Sequence, residues 1–158
     1  MKKFFSFIKN IIGTAGVFLF FLLLCALLEE IPYNRVNPPF ETSLEQWIQS
    51  YKTVLYYVFC AALGGTLLWN VLEEWIIRPH YVKARSARFR WVVFLILQIG
   101  FLAASVLYTN RMLPADGEEI VYLLYALAGI VPYYISTLFF SPSAVKYTVP
   151  VSRNLRFW

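Results

Sequence analysis

Side chains able to do chemistry are few in this chain of 158 residues: one histidine, two cysteines and nine acids. Nucleophilic catalysis needs a base within hydrogen-bond reach, and a metal needs three or four ligands converging on one point. His80 has acids within seven positions upstream only at Glu73 and Glu74, and no set of His, Cys, Asp and Glu has the spacing of a metal site. Glu73-Glu74 is the nearest approach to a carboxylate pair. Neighbours on a helix point about 100° apart, so the two cannot share a proton as a facing dyad does. Glu74 instead reaches Arg78 at i+4, which predicts an ion pair beside Trp69 and Trp75. A contact for a basic partner and a proton acceptor for transport are the sharper alternatives. Cys25 and Cys60 are not in a Cys-x-x-Cys arrangement and read as buried inert thiols, although a disulfide is not barred by their depth. The inventory predicts no catalytic residue, no metal and no cofactor, and therefore no enzyme.

A few polar or helix-bending residues remain inside long apolar stretches: Asn70, Gln98 and Pro132, with Ser105, Ser136 and Thr137 able to bond to their own helix. An amide at such a position ties one helix to its neighbour for about 0.6 to 2 kcal/mol, or else touches a substrate. Small residues at i and i+4, Ala61 with Gly65 and Gly100 with Ala104, predict close approach of the second and third apolar segments. Gly129 and Pro132 break the fourth; Pro132 frees the carbonyl of Ala128, giving a static bend or a transporter hinge.

The elements that carry these residues follow from composition. The chain is 59% hydrophobic and 15% charged, with a mean hydropathy of +0.59, whereas soluble domains run at roughly 45 to 50% apolar and about 25% charged. A soluble enzyme and a disordered regulator are both excluded, and lipid is the simpler solvent. Four uncharged stretches, about 11–28, 54–72, 91–108 and 120–140, are long enough to cross a hydrocarbon core of about 30 Å. Backbone groups in lipid must be satisfied within the segment, so all four are expected to be helices in one membrane domain, 1–141, of an all-α polytopic protein.

Charge predicts the orientation. Eleven of the 14 Lys and Arg residues lie in the N-terminus (Lys2, Lys3, Lys9), the middle loop (Arg78, Lys83, Arg85, Arg88, Arg90) and the tail (Lys146, Arg153, Arg156). Only Arg35, Lys52 and Arg111 lie on the opposite side, together with seven of the nine acids. Cytoplasmic loops carry the excess of Lys and Arg, so both termini are expected in the cytoplasm of a cell inner membrane. The basic inner face attracts anionic headgroups, at about 1 kcal/mol per well-placed cation, and does not point to nucleic acid. The run after Met1-Lys2-Lys3 reads as a retained anchor, because Leu24 and Ala26 do not offer small residues at the spacing a signal peptidase needs.

Two segments outside the spans retain apolar residues. From Ile31-Pro32 to Pro38-Pro39 the outer loop is expected to be extended. Thr42 or Ser43 then caps an amphipathic helix at about 43–53, with Glu45 or Gln46 as reciprocal partner and Leu44, Trp47, Ile48 and Tyr51 along one stripe. This helix lies on the outer membrane surface or packs on the other helices. His80 reads as a surface residue of the middle loop.

In the tail, 142–158, Val145, Tyr147, Val149 and Val151 alternate with Lys146, Thr148, Pro150 and Ser152, the period of a strand with one apolar face. Such a strand would add to the sheet edge of a cytoplasmic partner, with Phe157 and Trp158 as further contacts; otherwise the tail lies at the membrane surface. The expected function is a non-catalytic integral subunit, a scaffold or anchor, of a multi-protein cell-envelope assembly such as a secretion or conjugation machine. Its partners are other membrane or cytoplasmic subunits. The alternative is a small transport protein, either the small membrane subunit of a two-part transporter or a lipid-linked-sugar flippase.

Overall fold

The computed structural model describes residues 2–38, 42–76 and 84–141. These form six helices: α1 (Lys2–Leu27), α2 (Glu30–Arg35), α3 (Leu44–Val71), α4 (Ala84–Met112), α5 (Glu119–Ala128) and α6 (Ile130–Phe139). A single π-helical turn, Leu72–Ile76, extends α3. Four helical stretches, Phe4–Arg35, Leu44–Trp75, Ser86–Met112 and Glu119–Phe139, are long and apolar enough to cross a membrane. This is the build of a multi-pass membrane protein.

The helices outrun the uncharged stretches because charge bars a residue from hydrocarbon, not from a helix. α3 starts at Leu44, where Ser43 is the N-cap and its hydroxyl accepts from the Gln46 amide at 3.3 Å. Residues 44–53 are therefore the first turns of α3 and form no separate helix. Their apolar stripe is packed: Trp47, Ile48 and Tyr51 are buried, and Trp47 Nε1 donates to the Leu113 carbonyl at 2.9 Å.

The stretch from Ile31 to Pro38 is only partly extended. Residues 30–35 form the short helix α2, with Pro32 at its third position. There the missing proline N–H has no helical partner to lose. The same holds where the fourth span breaks: Gly129 is the N-cap of α6 and Pro132 is its third residue, with Tyr133 N bonding the Gly129 carbonyl at 3.2 Å.

Contacts fix the helix directions. Phe18 meets Phe59 edge-to-face at 5.8 Å and Phe7 meets Trp75 at 5.6 Å, so α1 and α3 are antiparallel. Glu73 with Arg90 and Gly65 with Gln98 set α4 antiparallel to α3. Thr109 with Tyr125 and Trp91 with Thr137 set the fourth span antiparallel to α4. α3 is the hub, touching α1, α4, α5 and α6. One end of the bundle carries Lys9, Arg88 and Arg90 and is here called the basic end; the other carries Glu29, Glu30, Asp116, Glu118 and Glu119 and is called the acidic end.

At the acidic end, an isolated antiparallel bridge between Asn37 and Asp116 joins the two loops, with N···O distances of 2.9 and 3.0 Å. Gly117 closes the turn at φ 81°, where a Cβ would collide with the Arg35 carbonyl. Lys52 pairs with Glu29 beside it. Between the ends lie two apolar clusters, one around Trp47, Tyr51, Val121 and Tyr125, the other around Phe18, Trp69, Trp91 and Tyr133. Among the described residues of α4 the buried ones form the narrow stripe Ala87, Trp91, Gln98, Ser105 and Thr109, and the exposed apolar flank is left for a lipid solvent.

Candidate functional site

The basic half of the bundle has a polar interior assembled from helical spacing. Asn10 and Thr14 lie four apart on the buried stripe of α1, which continues as Phe18, Phe21 and Cys25. Thr66, Asn70 and Glu73 fall at i, i+4 and i+7 on α3 and its π turn, and all three are buried. Such a run gives α3 one polar stripe inside the bundle.

Glu73 anchors this stripe. Its side chain is 1% exposed, and both carboxylate oxygens accept from Arg90, Oε1 from Nε at 2.6 Å and Oε2 from Nη2 at 2.9 Å. Arg90 Nη1 also donates to Ser86 Oγ at 2.7 Å. The planar guanidinium meets the carboxylate as a two-pronged fork, the arrangement in which a charge pair gains most from direction as well as attraction. Trp91, next along α4, joins α6: its Nε1 donates to Thr137 Oγ1 at 3.0 Å, its carbonyl accepts from the Tyr133 hydroxyl at 3.0 Å, and the two rings stack at 6.0 Å.

The residues singled out from sequence are placed as follows. Asn70 is fully buried, but its Nδ2 donates to Thr66 O at 3.1 Å within its own helix. Gln98 reaches across to α3, donating to the Ala62 carbonyl at 3.5 Å, the outer limit of a hydrogen bond, while its amide packs against Gly65. Ala61 and Gly65 thus face α4 as expected. Gly100 does not meet α3, since nothing lies within 4 Å of a Cβ placed on it, and Ala104 is exposed on the wall of a groove between α3 and α4. Pro132 is buried beside the break at Gly129. Cys25 is buried, its Sγ donating to the Leu124 carbonyl at 3.8 Å, whereas Cys60 is exposed, and both are free. Glu74 is half-buried in the π turn. Arg78 lies outside the described residues, as do His80, Val145, Tyr147, Val149, Val151, Phe157 and Trp158.

Sequence reasoning weighed Glu73 only beside Glu74 and Arg90 only as a loop cation, so it missed their pairing, and it did not single out the buried Asn10 and Thr14 of α1. The spacing of Thr66, Asn70 and Glu73 was a usable signal for a buried polar stripe. The Glu73–Arg90 pair was not readable locally, because its partners are 17 positions apart across a loop.

Chemically, the interior offers one satisfied ion pair and a set of fixed hydroxyl, amide and indole dipoles. Among the described residues no group of three or more His, Cys, Asp or Glu is placed to hold a metal ion. At the acidic end, Glu118 Oε1 accepts from the Tyr122 hydroxyl at 2.6 Å, and the Thr109 and Tyr125 hydroxyls meet at 2.8 Å. A groove of about 760 Å³ runs between α3 and α4 in this half, walled by Thr53, Tyr57, Ala61, Phe101, Ala104 and Tyr108. A scan against protein-family models, a search of curated proteins and a search of solved structures each gave no match.

Proposed function

We propose that this protein is a non-catalytic membrane subunit, a scaffold or anchor in a multi-protein cell-envelope assembly of the secretion or conjugation kind. The observation that carries the reading is the treatment of charge inside the bundle. Glu73, the carboxylate with 1% of its side chain exposed, has both oxygens committed to Arg90, a partner fixed on the next helix. A proton-coupled carrier needs an intramembrane acid that exchanges partners during its cycle, and a hydrolase needs a base aimed at a nucleophile. A forked pair joining the ends of two consecutive spans instead stiffens a scaffold.

In this reading the chain sits in a cell inner membrane with both termini in the cytoplasm, its basic face against anionic headgroups. The first turns of α3 lie at the outer interface, and the tail from 142 to 158 docks a cytoplasmic subunit through Val145, Tyr147, Val149, Val151, Phe157 and Trp158. The second reading, a small transport protein, draws on the interruption of the fourth span at Gly129 and Pro132.

The two separate experimentally. A photo-crosslinking residue at position 147 or 149 in living cells should give a discrete adduct of constant mass, lost with Val145→Asp or Val149→Asp. No adduct, together with a solute or lipid flux in proteoliposomes that depends on Pro132, would replace the subunit reading by the transporter.

A further inference from the structure

α3 and α4 touch at two levels and part between them. At mid-bundle Gln98 packs against Gly65 and donates to the Ala62 carbonyl. At the acidic end Trp47 Nε1 donates to the Leu113 carbonyl, tying the start of α3 to the end of α4. Between these contacts runs the groove of about 760 Å³, with Tyr57, Phe101, Ala104 and Tyr108 exposed on its walls. Along α3 it extends from Ser50 to Ala61, roughly 16 Å at about 1.5 Å rise per residue, close to half of a hydrocarbon core of about 30 Å.

The length of the groove separates two kinds of occupant. It closes at Gln98, near the middle of the Ser86–Met112 span, so it serves one leaflet only. A partner's transmembrane helix crosses both leaflets and would run out of the groove halfway, whereas a lipid acyl chain ends at the midplane. The walls agree with an apolar chain. The Ser50, Thr53 and Ser105 hydroxyls donate to the carbonyls of Gln46, Gln49 and Phe101 at 2.9, 3.0 and 3.0 Å. Hydrocarbon lying against them therefore strands no hydroxyl proton.

A cation stands at the mouth. Phe101, Ala104, Tyr108 and Arg111 fall at i, i+3, i+7 and i+10, one face of α4, which puts Arg111 in the last turn at the acidic end of the groove. Arg111 is exposed and, among the described residues, pairs with no carboxylate, whereas Lys52 at the same end is held by Glu29. A guanidinium fork matches the geometry of a phosphate. We propose that the groove seats a phospholipid from the leaflet at the acidic end, one acyl chain lying between Tyr57, Ala61, Phe101 and Ala104 and its phosphate on Arg111. The site does not depend on the subunit reading.

The test uses the full-length protein in lipid nanodiscs that carry one of two probes. One is a phosphatidylethanolamine whose acyl chain ends in a diazirine; the other is a diacylglycerol with the same chain and no phosphate. After illumination the adducts are mapped by mass spectrometry. The phospholipid probe should label Ala61 and Phe101 in preference to Ile96 and Ile99, which are exposed on the neighbouring face of α4. Ala104→Trp, which fills the groove, should abolish that preference, and Ile99→Trp should leave it. Arg111→Gln should lower groove labelling by the phospholipid about fivefold, the worth of one well-placed cation at a phosphate surface, and leave labelling by the diacylglycerol unchanged. Equal labelling of groove and neighbouring face overturns the proposal. So does groove labelling that is the same for both probes or unmoved by Arg111→Gln, since the groove would then take any apolar chain.

Discussion

At the scale of single residues, the Glu73–Arg90 pair is the contact with most at stake, because both carboxylate oxygens and three guanidinium nitrogens are engaged at one point. Arg90→Met strands a carboxylate that is 1% exposed. Removing one partner of a buried pair costs about 3 to 5 kcal/mol, and about 3 kcal/mol is expected here because the Arg90 side chain keeps some access to water. Replacing both partners, as Glu73→Met with Arg90→Met, should restore most of that loss. Unfolding of the four proteins in one detergent forms the double-mutant cycle, and strictly additive effects would sink the coupling. Gln98 lies at the opposite extreme. Its one inter-helix bond is 3.5 Å long, so Gln98→Leu should shift stability by less than about 1 kcal/mol in the same assay.

Within the helical elements, the fourth span shows how a break is built. Proline is the residue that sequence reading blames, yet Pro132 occupies a position where its missing N–H has no helical acceptor to serve. Pro32 occupies the same third position in α2. Gly129 is the less replaceable of the pair at the break: a Cβ there would stand 3.0 Å from Val58 Cγ1 and 3.3 Å from the Tyr125 carbonyl. Gly129→Val should therefore push the fourth span off α3 and cost about 1 to 3 kcal/mol, the usual range for overpacking. Pro132→Ala should change stability by less than about 1 kcal/mol. A Pro132→Ala protein that proves the weaker of the two in thermal unfolding would reverse this assignment.

For the molecule as a whole, the separation of charge between the two ends predicts its orientation. With Cys25 and Cys60 replaced by alanine, a single cysteine in place of Asp116 should react with an impermeant maleimide in intact cells. One in place of Ser6 should react only after the membrane is opened. The positive-inside tendency rests on Lys and Arg in short loops, and the sequence pattern leads to the expectation that eleven of 14 such residues share the side of Ser6. Labelling of the Ser6→Cys protein in intact cells would invert the topology and remove the cytoplasmic tail from the proposed docking role.

From the sequence alone came the class of the molecule: four apolar helices with few groups for chemistry, because hydrophobic run length and charge exclusion are properties of contiguous residues. Helix punctuation was partly legible too, Ser43 by its capping pattern and Gly129 with Pro132 by their intrinsic backbone limits. Tertiary structure alone decided which groups meet. Glu73 and not its neighbour Glu74 turns to Arg90, a choice made by about 100° of helical rotation and by the helix packed opposite. Gly65 of α3 meets Gln98 of α4, whereas nothing lies within 4 Å of a Cβ placed on Gly100 of α4. A sequence specifies local periodicity residue by residue, whereas the partner across a bundle depends on the relative rotation and depth of two helices, which packing sets.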